Sequence, residues 1–145
     1  EFMVRIYEAT EPSDLLAEAF ARLLPQLSER MTAPGREAVA RIVASPATRQ
    51  LVAAAEDGRI VGLLSVALYD VPSGRKAWIE DVVVDAAARG RGIGEALVRE
   101  ALALACREGV ARMMLTSNAT RRAAHRLYER MGFVRYETDC FRLDL

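Results

Sequence analysis

The stretch "EDVVVDAAARGRGIGEALVREAL", residues 80 to 102, constrains the fold of this chain more than any other. A β-branched run ending at Asp85 leads into a loop that holds two arginines and three glycines, and the loop opens a helix with apolar residues at helical spacing. A strand that runs straight into a helix belongs in a sheet with the helix folded back onto it, so the stretch commits the chain to layered α and β structure. Gly90, Gly92 and Gly94 alternate just ahead of the helix. Several backbone N–H groups can converge there without Cβ obstruction, at the positive end of the helix dipole. Arg89 and Arg91 sit at that same end, where a cation costs roughly a few tenths of a kcal/mol. A bound anion would offset the cost, so the loop reads as a phosphate cradle; a glycine-rich turn with solvated arginines is the other reading.

The rest of the chain supplies the layers. "MVRIYEA" alternates as a strand, and "EPSDLLAEAFARLLPQL" follows as a helix, with Leu15, Ala19, Phe20, Leu23 and Leu24 at helical spacing. A second helix is predicted from Pro34 to about Ala44, joined to the first by "PQLSERMTAPG". From Gln50 the period is that of strands: "QLVAAAE" and "RIVGLLSVALYD" flank a "DG" hairpin signal, and "RKAWIEDVVVD" follows the "PSG" turn. Beyond the loop a helix runs from Ile93 to about Arg107, with Ile93, Leu97, Val98, Ala101, Leu104 and Ala105 on one face. "VARMMLTSN" reads as a buried strand. "TRRAAHRLYERMG" reads as a helix with an Ala124, Leu127, Tyr128 and Met131 stripe closed by Gly132, and short strands around "FVRYE" and "CFRLDL" follow. The expected class is α+β (mixed α/β): a mostly antiparallel mixed sheet of six to seven strands flanked by about four helices. Residues 3–145 have the length of one domain, and Glu1 and Phe2, ahead of a methionine, read as an expression scar.

Composition narrows the function. Lys plus Arg (20) equals Asp plus Glu (20), so no overall field favours nucleic acid or an anionic membrane. Cys106 and Cys140 are lone cysteines without CxxC spacing, and His125, the single histidine, gives them no zinc-ligand set, so no metal is expected and the thiols read as reduced and cytoplasmic. The longest apolar stretch, "IVGLLSVAL" at 60 to 68, is half a membrane span, and no basic-then-apolar leader opens the chain, which points to a soluble protein. The nicotinamide fingerprint requires Gly-x-Gly-x-x-Gly and an acid about 20 positions on. This loop has Gly-x-Gly-x-Gly and no acid between Gly109 and Arg126. A nucleoside triphosphate loop needs Gly-Lys-Ser/Thr, and the only lysine is Lys76.

Arg89-x-x-Gly92-x-Gly94, after a strand ending "VVVD" and opening a helix, resembles the Arg/Gln-x-x-Gly-x-Gly/Ala signature of the GNAT-type, acetyl-CoA-dependent N-acetyltransferases. "RRAAHRLYERMGF", residues 121 to 133, resembles that superfamily's later helix, with a tyrosine followed closely by Gly-Phe. The motifs occur in the family's order, and the resemblance covers Met3 to Leu145, in its first half by element order only. It implies transfer of the acetyl group of acetyl-CoA to a primary amine by direct attack in a ternary complex. It also implies a pyrophosphate site at Arg89, Gly90, Arg91, Gly92, Ile93, Gly94 and Glu95, and backbone groups of Val82, Val83 and Val84 for the acetyl and pantetheine portions. Asn118 would bond the pantetheine arm and cap the last helix. Arg121 and Arg122, cations in a first helical turn, would meet a CoA phosphate. Tyr128 matches the family's general acid; its place on an apolar stripe also suits a core residue.

An alkyl amine with a pKa of about 10.4 is mostly protonated at pH 7, so the transfer needs a base. Glu80, on the strand before the loop, is the first candidate, acting directly or through a water. Asp81 is its rival, because adjacent strand residues point to opposite faces unless a bulge intervenes. His125, a turn from Tyr128 among Arg121, Arg122 and Arg126, suits a structural role better. Cys106 within a helix and Cys140 within a strand have no activating base at hand, which argues against a ping-pong route. The alternative from another class is a catalytically silent acyl-CoA-binding or regulatory module that keeps the loop without using Glu80 and Tyr128. The acceptor, a small-molecule or peptide amine, stays open among polyamines, aminoglycosides, amino acids and protein N-termini. Its pocket is expected from residues around 20 to 37 plus the late strands, and the family resemblance admits a homodimer.

Overall fold

The predicted "DG" hairpin at Asp57 and Gly58 joins β2 (Thr48–Ala55) to β3 (Ile60–Val71), and the "PSG" turn joins β3 to β4 (Gly74–Val84). The computed structural model of the chain describes residues 3–145, and the expected scar, Glu1 and Phe2, lies outside them. β1 (Val4–Ala9) pairs with β2, α1 (Asp14–Leu27) and α2 (Arg36–Ala44) lie between them in sequence, and α3 (Ile93–Arg107) follows β4. β5 (Met113–Met114) and α4 (Arg122–Arg130) complete the elements. The sheet order is β1-β2-β3-β4-β5, antiparallel throughout except for the parallel β4–β5 pair that the α3 crossover requires. Among the described residues, no helix is long and apolar enough to cross a membrane.

Each face of the sheet buries a cluster. Leu51, Leu64, Val66, Ala77 and Ile79 lie with Ile93, Leu97, Val98, Ala101 and Leu104 of α3. Val52, Ile60, Leu63 and Val83 lie with Leu16, Ala19, Phe20 and Leu23 of α1 and Val39 of α2. α3 has the predicted bounds and face. In α1 the buried stripe begins at Leu16, while Leu15 is 47% exposed, because Leu16, Ala19, Phe20 and Leu23 keep the i, i+3, i+4, i+7 spacing.

The expected strands at the C-terminal end differ most. β5 is two residues long, and "FVRYE" and "CFRLDL" form no strand, so the sheet has five strands among the described residues instead of six or seven. Val134, Tyr136, Phe141, Leu143 and Leu145 are exposed. Alternation sets which side chains a strand would present, but a strand exists only where a neighbouring backbone takes up its N–H and C=O groups. Two paired residues of β5 make too short an edge for a further hairpin to build on.

The end of β4 is clamped to α1. Asp85, buried just past the strand, accepts from Arg22 Nη1 at 3.0 Å and from Ala87 N at 3.1 Å, and Arg22 Nη2 donates to the Ile60 carbonyl at 2.7 Å. Gln26 Oε1 accepts from Ala86 N at 2.8 Å. Burial would raise the Asp85 pKa, but the hydrogen bonds from Ala87 and Gln26 and the Arg22 charge outweigh it and hold the carboxyl below its ordinary value.

Candidate active site

Two residues of β4 oppose one of β3 at the centre of the sheet. Ser65 pairs with Glu80 and Leu63 with Val83, which leaves Leu64 facing both Asp81 and Val82. This is a β-bulge, and Asp81 takes a positive φ of 50°, a conformation that aspartate tolerates better than most residues. The extra residue resets the alternation. Ala77 and Ile79 belong to the α3 cluster, and so do Val82 and Val84, while Val83 belongs to the α1 cluster. Without the bulge Asp81 would take the α3 face; with it, Glu80 and Asp81 line the same cavity.

That cavity, of about 400 Å³, lies on the α1 and α2 side of β2, β3 and β4. Phe20 and Leu24 of α1, Met31, Thr32 and Pro34 of the α1–α2 connection and Ile42 of α2 form its outer wall. The connection was expected there, but the floor comes from the central strands, through Thr48, Gln50, Leu63, Ser65 and Ala67, and not from the late strands, which do not form. Gln50 is buried and fully engaged: its Nε2 donates to the Leu51 and Leu64 carbonyls at 3.2 and 3.3 Å, and its Oε1 accepts from Ser65 Oγ at 2.7 Å. Burial, and next the charge of Asp81, raise the Glu80 pKa above its ordinary value. A glutamate raised in this way is better suited to hold a proton near neutral pH.

At the far end of β4 the loop opens α3 as predicted. Gly90 and Gly92 both have φ of +78°, Gly92 is the N-cap residue, and a Cβ built at either would meet nothing within 4 Å. Conformation, and not packing, requires glycine there, and the space before the helix end is open. The first intrahelical bond runs from Ala96 N to Gly92 O at 3.0 Å, so the N–H groups of Ile93, Gly94 and Glu95 precede the helical ladder. Ile93 is buried and anchors that turn in the core. Gly94 admits α4, since a Cβ at this position would stand 3.3 Å from Leu127 Cδ2. Arg89 Nε donates to the Val84 carbonyl at 3.2 Å and braces the loop against the strand that precedes it. Glu95 pairs with Arg99 at 3.8 Å, both on α3.

The remaining expected residues cluster at α4. Asn118 does not cap the helix directly: its Oδ1 accepts from Thr120 N at 2.9 Å, and Arg121 holds the N-cap position. Arg121 donates through its guanidinium to the Leu27 carbonyl at the end of α1, and Arg122 is exposed in the first turn. His125 Nε2 donates to the Asn118 carbonyl at 2.9 Å, which ties the helix to the turn before it. Tyr128 packs with the α3 cluster, edge-on to Phe133 at 5.7 Å between ring centroids. Burial raises its pKa, against the lowering effect of Arg121, so the phenol keeps its proton. The geometry therefore joins Glu80 and Asp81 in one cavity and places Tyr128 with the residues of the other face. Cys106 and Cys140 are free and exposed, and Cys140 lies outside any strand. No group of three or more His, Cys, Asp or Glu among the described residues could hold a metal ion.

The profile of the acetyltransferase (GNAT) family matches residues 6–133. A protein of Oryza sativa subsp. japonica named Probable glucosamine 6-phosphate N-acetyltransferase 2 is 33% identical over 136 residues, covering 92% of this chain and 74% of that protein. The mycothiol acetyltransferase of Renibacterium salmoninarum is 33% identical over 91 residues, which are 61% of this chain, and the chain spans only 27% of that protein's length. The crystal structure of a Trypanosoma brucei acetyltransferase superposes with a TM-score of 0.80 at 29% identity, covering 99% of this chain and 100% of the other.

Proposed function

This chain belongs to the acetyltransferase (GNAT) family, and from that premise we propose that it is an acetyl-CoA-dependent N-acetyltransferase. It moves the acetyl group of acetyl-CoA to a primary amine by direct attack in a ternary complex, and residues 3–145 act as one catalytic domain. The observation that carries the reading is the course of β4, which presents Glu80 and Asp81 to a cavity at its bulge and ends in a helix-opening glycine loop.

The residues of the loop fit acetyl-CoA as co-substrate. The open space at Gly90 and Gly92 and the N–H groups of Ile93, Gly94 and Glu95 suit a pyrophosphate, with the arginines Arg89 and Arg91 beside it. The backbone of Val82, Val83 and Val84 at the end of β4, and Asn118 in the turn before α4, are the candidates to hold the acetyl and pantetheine portions. Arg122, exposed at the start of α4, is the candidate for a further phosphate, whereas Arg121 already donates to Leu27. Bound acetyl-CoA supplies an activated thioester carbonyl. Glu80 takes the proton that the acceptor ammonium must lose, directly or through a water, and its raised pKa favours that task. Tyr128 keeps its own proton and is the candidate donor to the departing sulfur. The free thiols of Cys106 and Cys140 support a cytoplasmic location.

The test mixes the protein with acetyl-CoA and a panel of amines and follows the release of free CoA thiol. Amine-dependent release with an acetylated amine product supports the enzyme. Binding of acetyl-CoA with no release for any amine identifies the silent acyl-CoA-binding module instead.

A further inference from the structure

We propose that the acceptor is a hydrophobic monoamine, an alkyl or arylalkyl amine, with its ammonium against Glu80 and Asp81 and its apolar body against Phe20, Leu24 and Ile42. The inference rests on the acetyl-transfer reading and specifies its second substrate. A cavity of about 400 Å³ has the size of a small-molecule site. Among the described residues its only charged lining groups are the two carboxylates, with no lysine, arginine or histidine beside them. Among the described residues neither carboxylate has a hydrogen-bond or ion-pair partner, and the bulge holds the two adjacent on one face. The site therefore offers negative charge to a ligand with no internal cation to neutralise it. The walls decide the rest of the molecule. Phe20, Leu24, Met31, Ile42 and Leu63 give the cavity an apolar body beside the small hydroxyls of Thr32, Thr48 and Ser65, and Gln50, its largest uncharged polar side chain, spends its amide on Leu51, Leu64 and Ser65.

Other acceptors fit this lining badly, each for a definite reason. A phosphorylated amino sugar, or an amino acid with a free carboxylate, would bring an anion up to two carboxylates with no basic residue to receive it. An unphosphorylated aminoglycoside would bring many hydroxyls and ammonium groups against apolar side chains, where unmet polar groups are costly. A polyamine would have to lay its further charges along Phe20, Leu24 and Ile42. One ammonium at the carboxylates with an apolar body against Phe20, Leu24 and Ile42 leaves no polar group of the ligand unmet.

The experiment has a binding arm and a turnover arm. In the first, calorimetry on CoA-loaded protein compares 2-phenylethylamine with 2-phenylethanol, which keeps the body and lacks the charge, and with glucosamine 6-phosphate. The amine is expected to bind at least about tenfold more tightly than either. Asp81→Asn, which keeps the left-handed backbone that asparagine tolerates, is expected to weaken it about fivefold. Equal affinity for the amine and the alcohol, or tighter binding of glucosamine 6-phosphate, overturns the proposal. In the second arm, kcat/KM for 2-phenylethylamine is expected to exceed that for glucosamine 6-phosphate, spermidine and an aminoglycoside, and Met31→Arg is expected to narrow the gap to glucosamine 6-phosphate. A higher kcat/KM for any of those three overturns the acceptor class and leaves acetyl transfer standing. Absence of acetylation with every amine overturns the transferase reading, and the binding arm then decides by itself whether the cavity takes hydrophobic amines.

Discussion

The bulge at Asp81 and the loop at Gly90 and Gly92 are both places where one strand and its continuation leave ordinary backbone geometry, and they do so with opposite means. The loop reaches positive φ with residues that have no side chain, and what it leaves behind is open space bordered by N–H groups. The bulge reaches positive φ with an aspartate and keeps the carboxylate. One site is made of backbone and is spoiled by anything that protrudes; the other is made of side chains and is spoiled when they are trimmed. Strain at a bulge is tolerable only where the surrounding sheet enforces it, and here one buried cluster on each face does so.

Substitutions can break this contrast or sharpen it. The largest effect is expected from Gly92→Glu. No neighbour lies within 4 Å of the new Cβ, so the fold survives at a cost of about 1–2 kcal/mol of backbone strain, but a carboxylate now stands in the cradle. Acetyl-CoA binding measured by calorimetry should be lost, and unchanged affinity in the folded variant would remove the loop from the site. Next comes Glu80→Gln, for which single-turnover acetyl transfer should slow by about 10²- to 10⁴-fold with acetyl-CoA affinity little altered.

The pH dependence follows from the sign of the Glu80 shift. A base must be unprotonated, so the wild-type rate should rise with pH through a value above the ordinary glutamate range, and the Gln variant should lack that rise. The folded state favours protonated Glu80 more than the unfolded chain does. Its contribution to stability is therefore present at acid pH and is lost as pH rises through the raised pKa. Near neutral pH the Gln variant should melt no lower than wild type, a split between rate and stability that calorimetry can check.

Tyr128→Phe is expected to cost at least about tenfold in single-turnover rate while the melting temperature stays nearly constant, because the ring contact with Phe133 is preserved. Equal rates would make Tyr128 a packing residue only. The smallest effect belongs to the bulge backbone. Asp81→Ala should lower stability by about 1 kcal/mol through the left-handed conformation, and Asp81→Asn by less, as urea titration of the two variants would show.

The parts of this contrast that were legible in the sequence are those written in local chemistry. The alternating glycines, the bounds of α3 and the "DG" hairpin each follow from residues next to one another in the chain. The bulge does not, because one inserted residue changes which face every later side chain takes and leaves no mark in composition. "Glu-Asp-Val-Val-Val" reads the same with or without it, so the rivalry between Glu80 and Asp81 could be posed from sequence and not decided. The actual arrangement gives the cavity both. Gln50 could have been found, as a polar side chain at the head of the apolar run "LVAAA". The helix dipole bears on Arg121 only through its own first turn, and says nothing of its bond to Leu27, 94 residues away in sequence. The unformed strands at the C-terminal end show the same limit: their alternation is present, and the partner is not.

The brevity of β5 has a consequence for how the protein fails when heated. Two paired residues hold it to β4, and α4 has no fully buried side chain, whereas every strand from β2 to β4 is anchored in two clusters. Opening free energies vary within one molecule, and the segment with the least buried contact exchanges its amide hydrogens first. Residues 113–130 should therefore exchange ahead of the meander. Tyr128 rides on that segment, and inactivation by heat should set in several degrees below the global melting transition, with the cavity at Glu80 still in place.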